Sequence, residues 1–375
     1  MLFSVRDIDI LRLLCWCQNI RPRDLNRIFS DTELQNLILL GLIKHHERSG
    51  TLTLTSSGNA FLQVLYHGRI PDLTLSYHES AIQRRVRFSR LMLTAYQAGL
   101  DTFTLASDNQ LPGSSLFLTA ITRSRGRNPW GSSRIGAIVN LGDTFYAAHY
   151  ICPGIGRIAI HDELAAFHNH TNHGPDTKRA FLFAGDSYTE ILAEIQMSGE
   201  ASDKKLICYG DAYRGLRYPI HLLSLDDTGA RQLQIMSVPD YRAKLTQGIL
   251  KNAYRPPPAD TAAWDGILNG RPFVLAADMN LRRIDAAIKI AKKKNCLPVA
   301  MAALEGQGDA LLLSRYQDKS LAVVYKIADA ALEAFLSRPS TLYIPPRTQY
   351  LTEKGEVLDA PLIQVGGKIG RSSRS

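Results

Sequence analysis

The stretch GLIKHHERSGTLTLTSSGNAFL, residues 41–62, decides the fold of the first part of this chain. The letters ERSG supply turn residues between two short runs, LIKHH and TLTLT, so the stretch predicts a two-stranded β-hairpin. In the second strand we expect Leu52 and Leu54 to face inward and the alternating threonines to face water, because side chains alternate along a strand. A new helix is predicted from Ser56 onward.

Three helices are predicted before this hairpin. The segments VRDIDILRLLCWC and TELQNLILLGLI repeat apolar residues at helical spacing. Between them PRDLNRIF begins with Pro22, which suits the first turn of a helix, and Ser30 or Asp31 could cap the third helix. Three helices, a two-stranded wing and a helix are the order of a winged helix-turn-helix, which we assign to residues 1–75. The phrase GLI…LTLTSSGNAFL resembles the wing and following helix of many bacterial winged-helix proteins.

Winged helices bind double-stranded DNA or dock onto other proteins, and both interpretations stay open. On DNA, the third helix would enter the groove with a polar but weakly charged face, while the cations of the wing are better phosphate ligands. The predicted DNA contacts in this domain are Arg21, Arg23 and Arg27 around the first turn, Thr32, Gln35 and Asn36 on the third helix, and Lys44, His45, His46 and Arg48 at the wing.

Composition agrees with a nucleic-acid partner. The 375 residues carry a net charge of +9, and the excess lies in residues 1–135 and 231–375, whereas residues 136–230 are acidic. The five scattered cysteines indicate reduced thiols in a cytoplasmic protein. Early charges argue against a secretory signal, and no apolar run is long enough to cross a bilayer.

Arginines are dense in the next segments. The amphipathic helix AIQRRVRFSRLMLTAYQAGL and the loop TRSRGRNPWGSSR suit contact with a nucleic-acid backbone. A solvated helix face and a disordered loop are the alternatives. The predicted DNA contacts here are Arg84, Arg85, Arg87, Arg125 and Arg127.

A small α/β core is predicted over residues 76–250. RIGAIVNLGDTFYAAHYICPG reads as a β-hairpin with its turn at Gly142 and Asp143, and the helix HDELAAFHNH follows. RAFLFAGDSYTEILAEI predicts a buried strand and a helix, and KLICYGD and YPIHLLSLDD predict further strands. This order is that of an α/β layer of the restriction-endonuclease kind.

The winged helix and this core together resemble the replication-relaxation family of bacterial plasmids and conjugative elements, which includes endonuclease-like relaxases. In active members an Asp on the first hairpin strand and a Glu-x-Lys-like group on the next would hold a divalent metal and activate water. Here RIGAIV places Gly136 at the first position, and YAAHYI places Ala147, Ala148 and His149 at the second. The resemblance therefore implies a DNA-binding member that has lost the metal site.

Other carboxylates leave an active nuclease open as the alternative. A metal-dependent nickase or relaxase would use Asp143, Glu163 or Asp186. The segment HDELAAFHNHTNH offers a histidine-rich metal site, although histidines also populate polar helix ends. Three apolar runs end in Asp, at 186, 211 and 278, where ligands bind in open α/β sheets. Capping of the next helix is the interpretation that we favour.

The back third predicts βαβ units. After a hinge at NAYRPPPADTAAW, strands and helices alternate over residues 259–345 on a partly parallel sheet, and residues 346–375 form a basic tail. The sequence thus predicts a cytoplasmic α/β protein of a mobile element that binds double-stranded DNA without cleaving it. We expect no cofactor and no membrane, and other mobile-element proteins are further candidate partners.

Overall fold

The computed structural model has a mixed α/β fold, as the sequence predicts. It describes residues 2–71, 78–105, 113–123, 128–153, 158–171, 177–199, 206–314, 316–336, 349–351 and 357–359. The chain divides into two compact units, of which the first comprises Met1–Pro71 and Ser340–Ser375 and the second comprises Asp72–Pro339. In the part of the chain that is described, no helix is both long and apolar enough to cross a membrane.

In its described residues, the first unit has four helices and two small antiparallel sheets. Its helices are α1 (Val5–Cys17), α2 (Pro22–Leu25), α3 (Asp31–Leu39) and α4 (Ser56–Leu65). Strand β1 (Leu2–Phe3) pairs with β13 (Gln349–Leu351), which pairs with β14 (Val357–Asp359). The predicted hairpin is confirmed as β2 (Ile43–His46) and β3 (Thr51–Leu54). The end of the basic tail, GGKIGRSSRS, lies outside the described residues.

Helix α4 begins where the sequence predicts, and a close packing contact holds its first turn. The Thr55 hydroxyl accepts a hydrogen bond from the Gly58 amide at 3.0 Å and donates to the Gly41 carbonyl at 2.6 Å. A Cβ atom on Gly58 would lie 2.1 Å from the Leu42 carbonyl oxygen, so this position requires glycine. The segment before β2 and the first turn of α4 are therefore joined as one structure.

The expected alternation of β3 is wrong for two of its threonines. Thr51 and Thr53 are 0% and 1% exposed. The second edge of β3 is not open to water, because Leu52 exchanges backbone hydrogen bonds with Ile20. The side-chain amide of Asn19 also donates to the Thr51 hydroxyl at 3.1 Å. A strand with neighbours on both edges and α1 packed over it is buried on both faces.

The larger sheet of the second unit has the order β4-β5-β6-β7-β8. Its strands are β4 (Ser115–Leu118), β5 (Ala137–Leu141), β6 (Thr144–Tyr150), β7 (Lys178–Gly185) and β8 (Ile220–Ser224). The first three are antiparallel and the last three parallel. The accompanying helices are α5 (Glu79–Gln97), α6 (Ile160–His170), α7 (Tyr188–Gln196), α8 (Tyr209–Gly215) and α9 (Asp227–Ser237), with a 3-10 turn at Thr119–Thr122.

One predicted strand of this region is wrong. KLICYGD contributes only an isolated bridge between Ile158 and Ile207 and then enters α8. Cys208 caps this helix by accepting a hydrogen bond from the Asp211 amide. A Cβ atom on Gly210 would lie 1.8 Å from the Met197 carbonyl oxygen, so the first turn of α8 packs closely against Met197 and requires glycine at this position.

A second sheet has the order β12-β11-β10-β9 and is partly parallel, as predicted. Its strands are β9 (Gly266–Leu268), β10 (Arg271–Leu275), β11 (Val299–Ala303) and β12 (Ala322–Lys326), and its helices are α10 (Tyr241–Leu250), α11 (Leu281–Lys293), α12 (Gln307–Ser314) and α13 (Asp329–Leu336), with a 3-10 turn at Lys251–Ala253. One hydrophobic cluster contains Phe181 of the first sheet and Val274 of the second, so the predicted regions 76–250 and 259–345 share a core. The predicted hinge between them contributes Trp264 to this cluster.

A buried ionic network closes the carboxyl end of β10. The Arg283 guanidinium donates to Asp265 at 2.6 Å and to Asp278 at 3.0 Å, and the Tyr241 hydroxyl donates to Asp278 at 2.8 Å. Burial alone would raise the pKa of Asp278, but Arg283, His221, the Tyr241 hydrogen bond and Arg242 together outweigh it and lower the pKa to about 2. The predicted capping role of Asp278 is wrong, because Asn280 caps α11.

This network predicts a large loss of stability when its cation is removed. We expect Arg283→Gln to lower the free energy of unfolding by about 3–5 kcal/mol, since the buried Asp278 loses its ion-pair partner and Asp265 keeps only Arg242. Urea denaturation followed by circular dichroism measures the change. The control is Arg271→Gln at an exposed arginine of β10, for which we expect less than about 0.5 kcal/mol. Equal effects of the two substitutions would contradict the assignment.

Candidate nucleic-acid interface

Helix α3 presents one uninterrupted outer face. It buries Leu34 and Leu37 on its inner side. Since successive residues are about 100° apart around a helix, four of the exposed residues fall within an arc of about 100° on the opposite side. These residues, which we call the outer face of α3, are Thr32, Gln35, Asn36 and Leu39. Leu39 is 84% exposed, the highest exposure among the large hydrophobic residues that the structure describes.

The start of α3 is held by a reciprocal capping box. The Ser30 hydroxyl accepts from the Glu33 amide, and the Glu33 carboxylate accepts from the Ser30 amide at 2.7 Å. Arg6 donates to the same carboxylate at 2.6 Å. This hydrogen bond lowers the pKa of Glu33 to about 2, although the exposure of the pair limits its contribution to stability. Glu33, one of two acids in the first turn of α3, is therefore paired with a cation.

The hairpin carries exposed cations. Lys44 and Arg48 are exposed, and neither forms an ion pair with another residue that the structure describes. His45 is also exposed. His46 is half-buried, and its Nδ1 atom lies 2.8 Å from the Ser49 hydroxyl, so this histidine supports the turn. Among the predicted wing residues, Lys44, His45 and Arg48 are the ones accessible to a ligand.

The three arginines near α2 differ in their surroundings. Arg23 is exposed and forms an ion pair with the buried Asp24 carboxylate, 3.8 Å away. Arg21 and Arg27 are half-buried. Their side chains lie partly against the unit, in contrast to the exposed cations of the hairpin.

The arginines of α5 separate into outward and inward groups. Arg84 is exposed, and the half-buried Arg87 lies over the Tyr150 ring at 5.8 Å. Arg90 pairs with Asp186, whose carboxylate also accepts a hydrogen bond from the Tyr150 hydroxyl. The predicted capping role of Asp186 is therefore wrong, because the neighbouring serine caps α7.

Two further arginines extend the positive charge beside α5. Arg85 is half-buried, and its pKa is lowered by burial and by the charge of Arg84. Arg123 donates to the Ser133 carbonyl at 2.8 Å and to the Ile135 carbonyl at 3.1 Å. Burial and Arg84 lower the pKa of Arg123 to about 10. Arg123 was not among the predicted contacts. Arg125 and Arg127 were predicted contacts, and both lie outside the described residues.

The two positions of the expected metal site lie side by side and contribute no ligand. The Gly136 amide donates to the Ala148 carbonyl at 3.0 Å, and β5 and β6 pair Ala137 with Ala148. A Cβ atom on Gly136 would lie 1.7 Å from the Phe88 ring. The Phe88 ring, which projects from α5, thus fills the space that a carboxylate side chain at position 136 would need.

The carboxylates of the nuclease alternative do not converge. Asp143 precedes β6 and pairs with Lys178 at 2.5 Å, whereas Asp186 contacts Tyr150 at the other end of that strand, roughly 20 Å away. Glu163 is buried 3.8 Å from His149. Because His149 and Tyr150 are consecutive in a strand, Glu163 and Asp186 lie toward opposite faces of the sheet.

The histidine-rich segment forms separate contacts. His168 lies 2.7 Å from the Tyr218 hydroxyl, and the ring of His170 stacks on Trp130 at 3.8 Å. His173 lies outside the described residues. Within the described ranges, no group of three or more His, Cys, Asp or Glu side chains is placed to hold a metal ion.

Comparison of the chain with protein-family models, with curated proteins and with solved structures finds no match. The likeness to the replication-relaxation family therefore stays a prediction from the sequence. What the chain does has to be inferred from its own side chains.

The contact between Gly136 and Phe88 predicts coupled stability effects. We expect Gly136→Ala to lower the free energy of unfolding by about 1–3 kcal/mol, because the new methyl group overlaps the ring. Combining it with Phe88→Ala should give less than the sum of the single effects in urea denaturation. Gly248→Ala is the control, since that helical glycine has open space, and stability should rise slightly. Additive effects of the first pair would contradict the overlap.

Proposed function

We propose that this chain is a double-stranded-DNA-binding protein of a mobile genetic element and that its first unit is a winged helix-turn-helix. One observation carries the proposal: α3 exposes a polar outer face, and the hairpin that follows it exposes cations without described ion-pair partners. In a winged helix the third helix faces base edges, and the cations of the wing contact phosphates. The order of elements, with β2 and β3 between α3 and α4, supports this assignment.

The hairpin supplies most of the affinity in this proposal. Lys44 and Arg48 approach the phosphate backbone, and His45 adds a hydrogen-bond donor beside them. Each phosphate neutralised by a cation releases counterions, so binding weakens steeply as the salt concentration rises. Helix α3 contains no Lys or Arg and adds little to this term.

The second unit binds DNA in the same proposal without cleaving it. Its helix, three antiparallel strands, helix and parallel strand follow the order of a restriction-endonuclease-like core. Gly136 and Ala148 stand at the positions of the expected metal ligands, and the Phe88 ring fills the space beside them. Arg84 and Arg87 on α5 offer positive charge for a DNA backbone. We place the protein in the cytoplasm and assign it no cofactor.

The proposal predicts salt-dependent binding to duplex DNA. Fluorescence anisotropy with a labelled duplex should give an affinity that falls linearly with the logarithm of salt concentration. Lys44→Ala combined with Arg48→Ala should reduce the slope by about 2, because two phosphate contacts are lost. Arg69→Ala is the matched control, since Arg69 is exposed in the same unit beyond the end of α4. No affinity at 50 mM salt would favour the protein-docking alternative.

The same protein should leave DNA intact. Incubation of supercoiled plasmid with Mg²⁺ or Mn²⁺ is expected to give no nicked product, because the described carboxylates do not converge on one site. Metal-dependent nicking that disappears in Glu163→Gln or Asp186→Asn would instead establish the nuclease alternative.

A further inference from the structure

The outer face of α3 has a chemistry that distinguishes base pairs. It combines two carboxamide side chains, Gln35 and Asn36, with the nearly fully exposed Leu39. A carboxamide matches the donor and acceptor of adenine in the major groove, and an apolar side chain matches the methyl group of thymine. Arginine and lysine, which match guanine, are absent from α3.

We propose that α3 selects A·T base pairs, with Gln35 and Asn36 bonding to adenine and Leu39 packing on the methyl group of thymine. This inference rests on the proposed DNA-binding function and names its sequence preference.

The geometry of the helix supports a shared site for the three side chains. Leu39 is four residues from Gln35 and three from Asn36, so all three lie next to one another on the helix surface. The nine residues of α3 are roughly 14 Å long. An α-helix with its side chains is about 10–12 Å in diameter, and a major groove about 12 Å wide admits it. Adenine and thymine edges of neighbouring base pairs can therefore meet these side chains together.

Binding to DNA would cover the exposed apolar side chain of Leu39. A leucine that is 84% exposed leaves most of its apolar surface in water, and a thymine methyl group offers it an apolar contact. Leu40 is adjacent in sequence, but it points about 100° away from Leu39 and is only 42% exposed. The two leucines thus differ in their orientation relative to the outer face, which makes Leu40 a matched control.

The test begins with the full chain and a library of duplexes with randomised centres. Selection should enrich a motif with A·T pairs at two or more positions. Replacing thymine by uracil at those positions removes only the methyl group and should lower the affinity about fourfold, as expected for one buried methyl group. Asn36→Ala and Gln35→Ala should each relax the preference for adenine by about 5- to 150-fold.

The leucine variants assign the methyl contact. Leu39→Ala should weaken binding to the thymine duplex and remove the difference between thymine and uracil, whereas Leu40→Ala should leave that difference unchanged. Circular dichroism verifies that both variants remain folded, which is expected for exposed side chains.

Three results would overturn the inference while leaving DNA binding in place. They are a selected motif of G·C pairs or no motif, equal affinity for thymine and uracil duplexes, and dissociation of an oligomer by Leu39→Ala without a change in base preference. The last result would assign the leucine to a protein contact. A chain with no affinity for any duplex at low salt would overturn the proposed function itself and this inference with it.

Discussion

The contact of Gly58 with the Leu42 carbonyl is the constraint on which the first unit depends. It brings the first turn of α4 against the segment that connects α3 to β2, and Thr55 reinforces the contact by bonding to Gly41. Because Gly41 lies two residues beyond the end of α3, the same contact fixes where that helix stops and where the hairpin begins. The outer face of α3 and the cations of the hairpin are thereby held on adjacent parts of one small structure.

Local sequence signals were sufficient for most elements. Turn residues predicted both hairpins, and helical spacing predicted α1, α3 and α5. The errors came from neighbours distant in sequence. Ile20 pairs with Leu52 and buries the threonines of β3, and KLICYGD enters α8, where Cys208 caps the helix and Gly210 packs against Met197.

Local signals also predicted part of the candidate site, and contacts between residues distant in sequence again decided the rest. The register of β5 and β6 follows from the turn at Gly142, so the sequence could indicate that positions 136 and 148 are neighbours. It could not indicate that Phe88, 48 residues earlier, fills the space beside them. Likewise, spacing placed the arginines on α5, but their partners decide their roles. Arg90 is bound to Asp186, while Arg84 is exposed.

The charges of the first unit separate affinity from selectivity. The first turn of α3 carries two acids, one of which, Glu33, is bound by Arg6, while the exposed Asp31 accepts a hydrogen bond from Asn26. Acids in this turn offset the attraction of a helix N-terminus for anions, and α3 has no Lys or Arg, so under the proposed function α3 adds little electrostatic attraction for DNA. In the proposal, that attraction within the first unit comes mainly from the hairpin, where Lys44 and Arg48 are exposed. An uncharged outer face beside a cationic hairpin can then respond to differences between base pairs without binding every sequence equally tightly.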